Sequence, residues 1–470
     1  MLTGTAFEDS RLSFWLRVRE IAVPPLMIKT ATARRAAGDW AGACAAAGFD
    51  VDLDLRTVGR AHGGDLAGRL RADLRRLAPD LLRWHMPRTA PDGFLRSGAT
   101  VTLARYDAPG DPRPVHLLVR TAPAWAEAGQ RLSLAVWDGR ASPGYGAGPH
   151  GYRAPDRRFR LDLHRHLWDA SRSHELRERS GADVPHTGPA PRWAPSVPDA
   201  GRFALDRWAA EAALLLSAEG RDAGGRVAVR VGGRRRLLLD VRTSPDVSGP
   251  GGGSPVVRSA EFSRAGACAG LPVLPDAATW VLPDLELLRG GWIAADRLHP
   301  LVAAALGPGS PGPSGPGAEA DDGAGPRLVE CRGALHRIGL VDGVLRPLDH
   351  DPDEIRREEL LAALTGTPLP CLQVIDMAHR RPDCLTDVRD RLAHGDSAGA
   401  LARIESMLGT EARLRDGDLR DLLHDAARER VRHGLFRAGL ADPRPREPVT
   451  GRERFRVGVH RSRPRNAAYF

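Results

Sequence analysis

GPGSPGPSGPGAEADDGAGP, residues 307–326, decides how this chain is divided. Apart from Glu319, Asp321 and Asp322, it contains only Gly, Pro, Ser and Ala. Such residues bury too little apolar surface to offset the entropy of ordering them, so the stretch predicts a disordered linker. Residues 244–255, with Ser248-Gly249-Pro250-Gly251-Gly252-Gly253, predict a second linker. Outward from these, the pattern gives a mainly helical region over residues 1–90. A mixed α/β region over 91–243 carries a β-meander and a hairpin, and 256–306 form a small mixed segment. Residues 327–440 read as a β-hairpin plus helical bundle, and 441–470 as a tail rich in Arg and Pro. The expected fold class is α+β multidomain: a helical N-terminal part, small antiparallel β modules in the middle and a helical-bundle C-terminal domain.

Spacing and end signals carry the helices. Leu12, Trp15, Leu16 and Val18 predict a short amphipathic helix over 10–21, stopped by Pro24-Pro25. Residues 26–47 read as two helices around a turn at Gly38-Asp39. Leu66, Leu70, Leu74, Leu77 and Leu81 recur at steps of three and four, which predicts a helix over 65–84. Further helices are expected over 163–179 and 203–218. Asp351-Pro352-Asp353-Glu354 combines an N-cap acid, a proline at N1 and acids in the first turn, and it opens a helical region reaching Leu440. Three apolar runs between Ala99 and Asp138, separated by turn residues, predict the meander. Hairpins are expected around Gly232-Gly233 and around Asp342-Gly343.

Gly38-Asp39-Trp40-Ala41-Gly42-Ala43-Cys44-Ala45 matches Gly395-Asp396-Ser397-Ala398-Gly399-Ala400-Leu401-Ala402 at six of eight positions. In both, Gly ends one helix, Asp caps the next, and small residues let the two pack closely. The motif resembles the turn of tetratricopeptide-like helical hairpins. The match covers eight residues and lacks the rest of a 34-residue repeat.

Composition excludes several classes. Lys29 is the only lysine among 68 basic residues, Asn466 the only asparagine, and Gln130 and Gln373 the only glutamines. That skew is the codon habit of a very high-GC genome of the actinobacterial kind. The P-loop, protein-kinase and pyridoxal-phosphate chemistries each need a lysine in a defined setting. Lys29 follows Met27-Ile28 with no glycine-rich loop before it. No H-E-x-x-H or C-x-x-C occurs. No run approaches the ~20 apolar residues of a membrane span, and no secretory signal is visible. Five scattered cysteines suit reduced thiols, so the expected location is cytoplasmic.

Five clusters carry candidate chemistry. Asp162, His164 and His166 would share one face of a strand and begin a divalent-metal site. The stretch resembles the D-x-H-x-H opening of metal-dependent phosphoesterases and amidohydrolases, which implies a hydrolase with further ligands at later strand ends. Asp50, Asp52 and Asp54 would place three carboxylates on one strand face, as Mg²⁺ sites do. The simpler reading is an edge strand with outward charges. Cys371, His379, Cys384 and His394 are zinc-type ligands whose gaps fit no compact knuckle, and Asp349-His350-Asp351 would make a tuned histidine. In the tail, Arg461, Arg463 and Arg465 belong to eight arginines set against Asp442, Glu447 and Glu453, a weak phosphate-binding signal.

With no strong catalytic constellation, the sequence predicts a non-catalytic cytoplasmic adaptor or scaffold component of a multi-component bacterial system. It would act through protein–protein interaction, without cofactor or membrane. The alternatives are a divergent metal-dependent hydrolase using Asp162, His164 and His166, and a nucleic-acid binder using the arginine tail, weak and confined to residues 441–470. Limited proteolysis is expected to cut within residues 307–326 and release a stable C-terminal fragment. Resistance of that segment would contradict the boundary.

Overall fold

Leu66, Leu70, Leu74, Leu77 and Leu81 are all buried. They lie on two helices, Gly64–Arg76 and Pro79–His85, with Leu77 between them. Pro79 has no amide hydrogen to carry the first helix onward, and its fixed φ suits the start of the second. The structure is a computed structural model, and it describes residues 4–108, 111–139, 154–183, 193–194, 197, 200–222, 224–232, 235–243, 254–263, 268–307, 327–366 and 368–440. The chain forms two units. One comprises Met1–Trp125, Gln130–Gly317 and Phe436–Phe470, and the other Ala126–Gly129 with Ala318–Leu435.

In the first unit, helices Gly4–Ala22, Pro25–Ala36 and Trp40–Ala46 lead into strand β1 (Phe49–Asp52). A ribbon of β2 (Arg88–Thr89) and β3 (Phe94–Leu95) follows the leucine helices. The predicted meander is β4 (Thr100–Ala108), β5 (Asp111–Thr121) and β6 (Leu132–Trp137). β1 joins it parallel to β6, with Phe49 opposite Leu132, giving the order β1-β6-β5-β4. A second antiparallel sheet holds β7 (Gly225–Arg230), β8 (Arg236–Thr243) and β9 (Pro255–Ser263). The expected hairpin is there, Val227 opposite Leu239, but its strands stop at Arg230 and resume at Arg236, a longer connection than the glycine pair alone. β9 starts at Pro255, inside the expected linker.

One buried cluster runs from Trp15 to Leu306 and takes side chains from residues 1–90, 91–243 and 256–306. The leucine helices and the four-stranded sheet both contribute to this cluster. The helix expected over 163–179 is instead three short turns, Arg165–Leu167, Ser173–Glu175 and Leu176–Arg179. Asp169 explains the break: its Oδ1 accepts from the Ser171 amide (3.0 Å) and hydroxyl (2.6 Å), an alternative to helical bonding. The helix expected over 203–218 spans Trp208–Ala218.

In the second unit, β10 (Arg327–Cys331), β11 (Ala334–Val341) and β12 (Val344–Pro347) form a meander, one strand more than expected. Arg332-Gly333 and Asp342-Gly343 all have positive φ, as two-residue hairpin turns require. Asp351 caps helix Pro352–Thr365, accepting from the Asp353 amide at 2.7 Å. Helices Pro370–Arg380, Leu385–His394, Ser397–Leu408 and Asp418–Arg437 follow.

The repeated motif has one geometry in both places. Gly38 and Gly395 carry positive φ. Asp39 accepts from the Gly42 amide at 2.8 Å, and Asp396 from the Gly399 amide at 2.9 Å. Arg34 pairs with Asp39, and Arg391 with Asp396. A Cβ at Gly42 would stand 2.1 Å from Asp39 Oδ2, and one at Gly399 2.1 Å from Asp396 Oδ2. Gly42→Ala and Gly399→Ala are therefore each expected to expel the cap and cost about 1 kcal/mol. All ten tryptophans lie in the first unit, so fluorescence-monitored urea unfolding reads Gly42→Ala, and circular dichroism reads Gly399→Ala. Wild-type stability in both variants would contradict the shared geometry.

Candidate functional site

Asp162, His164 and His166 lie in turns rather than on a strand, so the alternation that would align them does not apply. Asp162 pairs with Arg160 at 2.7 Å. His164 has Nε2 3.1 Å from Glu211 Oε2 and Nδ1 3.1 Å from the Arg160 carbonyl. Glu211 also accepts both arms of Arg179, at 2.8 and 2.7 Å, and these partners hold its carboxyl well below the usual range despite burial. His166 is buried, its ring edge-on to His164 with centroids 5.8 Å apart, and its Nδ1 has no hydrogen-bond partner. Burial, His164 and Arg179 push its pKa well down. Asp162 is thus taken up by Arg160 and His164 by Glu211, and the three form no metal-type cluster among the described residues.

The same interior holds His85, His299, Asp80 and Asp284, all buried. His299 Nε2 lies 2.8 Å from Asp80. His85 donates from Nδ1 to the Leu167 carbonyl at 3.2 Å, and its Nε2 sits 4.0 Å from Asp284 without a hydrogen bond. Asp284 already accepts from Arg19 at 2.5 Å and from the Trp84 indole at 2.7 Å. Burial lowers His85 to about 4. His299–Asp80 and Arg19–Asp284 are closed pairs inside a packed core, and their chemistry is to hold elements together.

The three aspartates near residue 50 also separate. β1 is an edge strand, as the simpler reading expects, and Asp50 pairs with Arg131 at 2.6 Å and with Arg437 at 3.1 Å. Asp52 pairs with Arg437. Asp54 has left the strand to cap helix Leu55–His62, accepting from the Arg56 and Thr57 amides.

In the C-terminal unit, Cys371 meets Cys331 and His350, not His379, Cys384 and His394. One ligand atom from each of the three lies within 4.8 Å of the others, the one group of three or more metal-type ligands found among the described residues. Sequence spacing missed it because the ligands come from the end of β10, the loop after β12 and the start of helix Pro370–Arg380. Asp349 and Asp351 each have a partner other than His350. Asp349 is bound by Arg337 at 2.7 Å, which lowers its carboxyl to about 2, and Asp351 caps its helix. Glu354 is the acid beside His350 Nδ1, at 3.5 Å. His394 turns its Nδ1 to the Asp390 carbonyl at 3.0 Å.

This unit also carries apolar side chains outward. On helix Pro352–Thr365 no described residue is buried, and Leu360, Leu361 and Leu364 are 64%, 49% and 86% exposed. Their positions, at steps of one, three and four, place them on one face. Arg332 fixes the adjoining face of the helix, reaching Glu354 and Glu358 at 2.5 Å each. Arg461, Arg463 and Arg465 lie outside the described residues. No single described helix is long and apolar enough to cross a membrane. No protein-family model, curated protein or solved structure matches the chain.

The buried imidazoles give a pH prediction. His85 and His116 are lowered to about 4, chiefly by burial, and His166 lies well below its ordinary 6.5. A group with a depressed folded pKa takes up its proton more readily when unfolded. Its contribution is therefore complete above 6.5 and is lost as pH falls toward 4. Glu211, with an ordinary value of 4.5, adds its loss only below that. Tryptophan-monitored unfolding is expected to show stability of the first unit falling already between pH 6.5 and 4.5. A flat profile there would contradict neutral buried histidines.

Proposed function

We propose that this chain is a non-catalytic adaptor that docks a partner protein through the leucine face of helix Pro352–Thr365. The observation that carries the reading is the exposure of Leu360, Leu361 and Leu364 on a helix already pinned along the adjoining face by Arg332. Grouped exposed leucines mark interaction surfaces more often than solvent-facing helix. A face held in place before binding lowers the ordering cost of association. Arg356 and Arg357 border the leucines at helical spacing, so the partner chemistry that fits is an amphipathic helix whose apolar stripe is flanked by acids. Five free thiols support a reducing, cytoplasmic setting.

The test compares quantitative co-purification by the wild-type chain and by a Leu360→Glu/Leu364→Glu variant from the native host. Recovery of the specific partner is expected to fall at least about tenfold, because central interface anchors are each worth about 2 kcal/mol or more. Circular dichroism should be unchanged, since neither side chain enters a core. Equal recovery by both proteins would overturn the reading. Loss of all binding on deleting residues 441–470, with the leucine variant unaffected, would favour the nucleic-acid alternative.

A further inference from the structure

Two thiols and an imidazole nitrogen share a dry pocket in the C-terminal unit. Cys331 closes β10, and Cys371 stands in the first turn of helix Pro370–Arg380, directly after Pro370. Both are fully buried, and the His350 side chain between them in sequence is only 3% exposed. Glu354 engages His350 on the Nδ1 side, which leaves Nε2, buried and without a hydrogen-bond partner, as the free nitrogen. A buried polar atom with no partner is uncommon and asks for a reason.

We propose that Cys331, His350 and Cys371 bind one zinc ion through two thiolates and one imidazole. The donor set selects the metal class: thiolate and imidazole together suit Zn²⁺, whereas Mg²⁺ and Ca²⁺ require oxygen ligands. Zinc bonds of about 2.0–2.3 Å separate tetrahedral ligands by roughly 3.5–4 Å, and the three donor atoms already lie within 4.8 Å of one another. Two thiolates balance the charge of the ion, so the cluster can stay buried. His336 is a further imidazole at its edge, its ring centroid 4.2 Å from that of His350 and its Nδ1 buried and unpartnered.

The surroundings also fit. Zinc-bound histidines commonly hold their second nitrogen against a carboxylate, which fixes ring and tautomer. Glu354 occupies that place, and Arg332, the residue after Cys331, grips Glu354 in turn at 2.5 Å. Burial and the Cys331 thiol raise the Cys371 thiol to about 11, so without metal it remains protonated at neutral pH. Metal binding displaces that proton. The ion would join the sheet, the loop into helix Pro352–Thr365 and helix Pro370–Arg380. The assignment stands on the pocket and is independent of what binds the leucines.

Elemental analysis of the full chain, purified without chelator and freed of any tag, is expected to give about one zinc per chain. Cys331→Ser and Cys371→Ser should bring it near zero, while Cys384→Ser, at a buried thiol outside the cluster, retains it. Because the serine variants can also unfold the unit, a second measurement uses the wild type. After zinc is stripped, added Co²⁺ should give the strong visible bands of a tetrahedral site with thiolate charge transfer in the near ultraviolet, and Zn²⁺ should bleach them. Zinc content well below one with only the weak spectrum of aqueous Co²⁺ would overturn the assignment. So would zinc that survives both serine substitutions, or a Cys331–Cys371 disulfide in the purified protein.

Discussion

The carboxylate of Asp284 holds the N-terminal unit together. It is buried on helix Pro283–Arg289 and accepts from Arg19 on helix Gly4–Ala22 and from Trp84 on helix Pro79–His85. Three elements separated by 265 and 200 residues thus converge on two oxygens. Two residues on, Glu286 takes both arms of Arg11 at 2.7 and 2.8 Å, clasping the first helix a second time. Removing one partner from a buried pair of this kind leaves an uncompensated charge, at a cost of about 3–5 kcal/mol. Such a loss is a large part of a typical domain's stability.

That arrangement follows from the composition. A chain with one lysine, one asparagine and two glutamines must satisfy its interior polar groups with arginine, histidine and acids. Arg83 and Arg88 are both buried and turn their guanidinium groups to backbone carbonyls, Arg83 to Ala22 and Gln130, Arg88 to Gly93 and Arg83. Burial lowers them to about 10 and about 9, still charged at neutral pH. Asp73 takes Arg76, Arg165 and the Tyr106 hydroxyl, and Arg158 pairs with Asp276 at 2.5 Å. The planar fork of arginine reaches several acceptors at once, which a lysine cannot do. Arg19, Arg83, Arg88, Arg120, Arg158 and Arg160 are buried, so part of the arginine count serves the interior rather than the surface.

Signals written in consecutive residues were legible. The caps at Asp39, Asp351 and Asp396, the leucine row from Leu66 to Leu81, the meander between Ala99 and Asp138 and the turn at Asp342-Gly343 each depend on neighbours within a few positions. Signals that depend on partners far along the chain were not. The stretch 163–179 has helical periodicity, yet the Asp169–Ser171 bonds and the pairing of Arg165 with Asp73 draw it into turns. β9 begins at Pro255, the last residue of the expected linker, because its place is fixed by pairing with β8. The separation of Asp162, His164 and His166 likewise depends on Glu211 and Arg179, remote residues that no local spacing announces. The thiol–imidazole cluster failed for the opposite reason. Its members are 19 and 21 residues apart, so a search for compact ligand spacing grouped Cys371 with the wrong histidines.

The two units differ in where their unmet interactions lie. In the first, the buried acids Asp73, Asp80, Glu211, Asp276 and Asp284 meet arginines or histidines, and the apolar cluster closes around them. In the second, the small cluster by the sheet has four buried members, Cys331, Ile338, Cys371 and Ile375, and leucines of the adjoining helix face outward. Burying a large apolar side chain contributes about 1.5–3 kcal/mol, so Ile338 and Ile375 together supply only about 3–6 kcal/mol before chain entropy is counted. A structural zinc contributes about 10–16 kcal/mol, more than those two side chains. A bound ion would therefore set the stability of the sheet and the orientation of helix Pro352–Thr365 through Glu354 and Arg332. The leucine face would then be a surface whose rigidity comes from the metal behind it rather than from apolar packing beneath it.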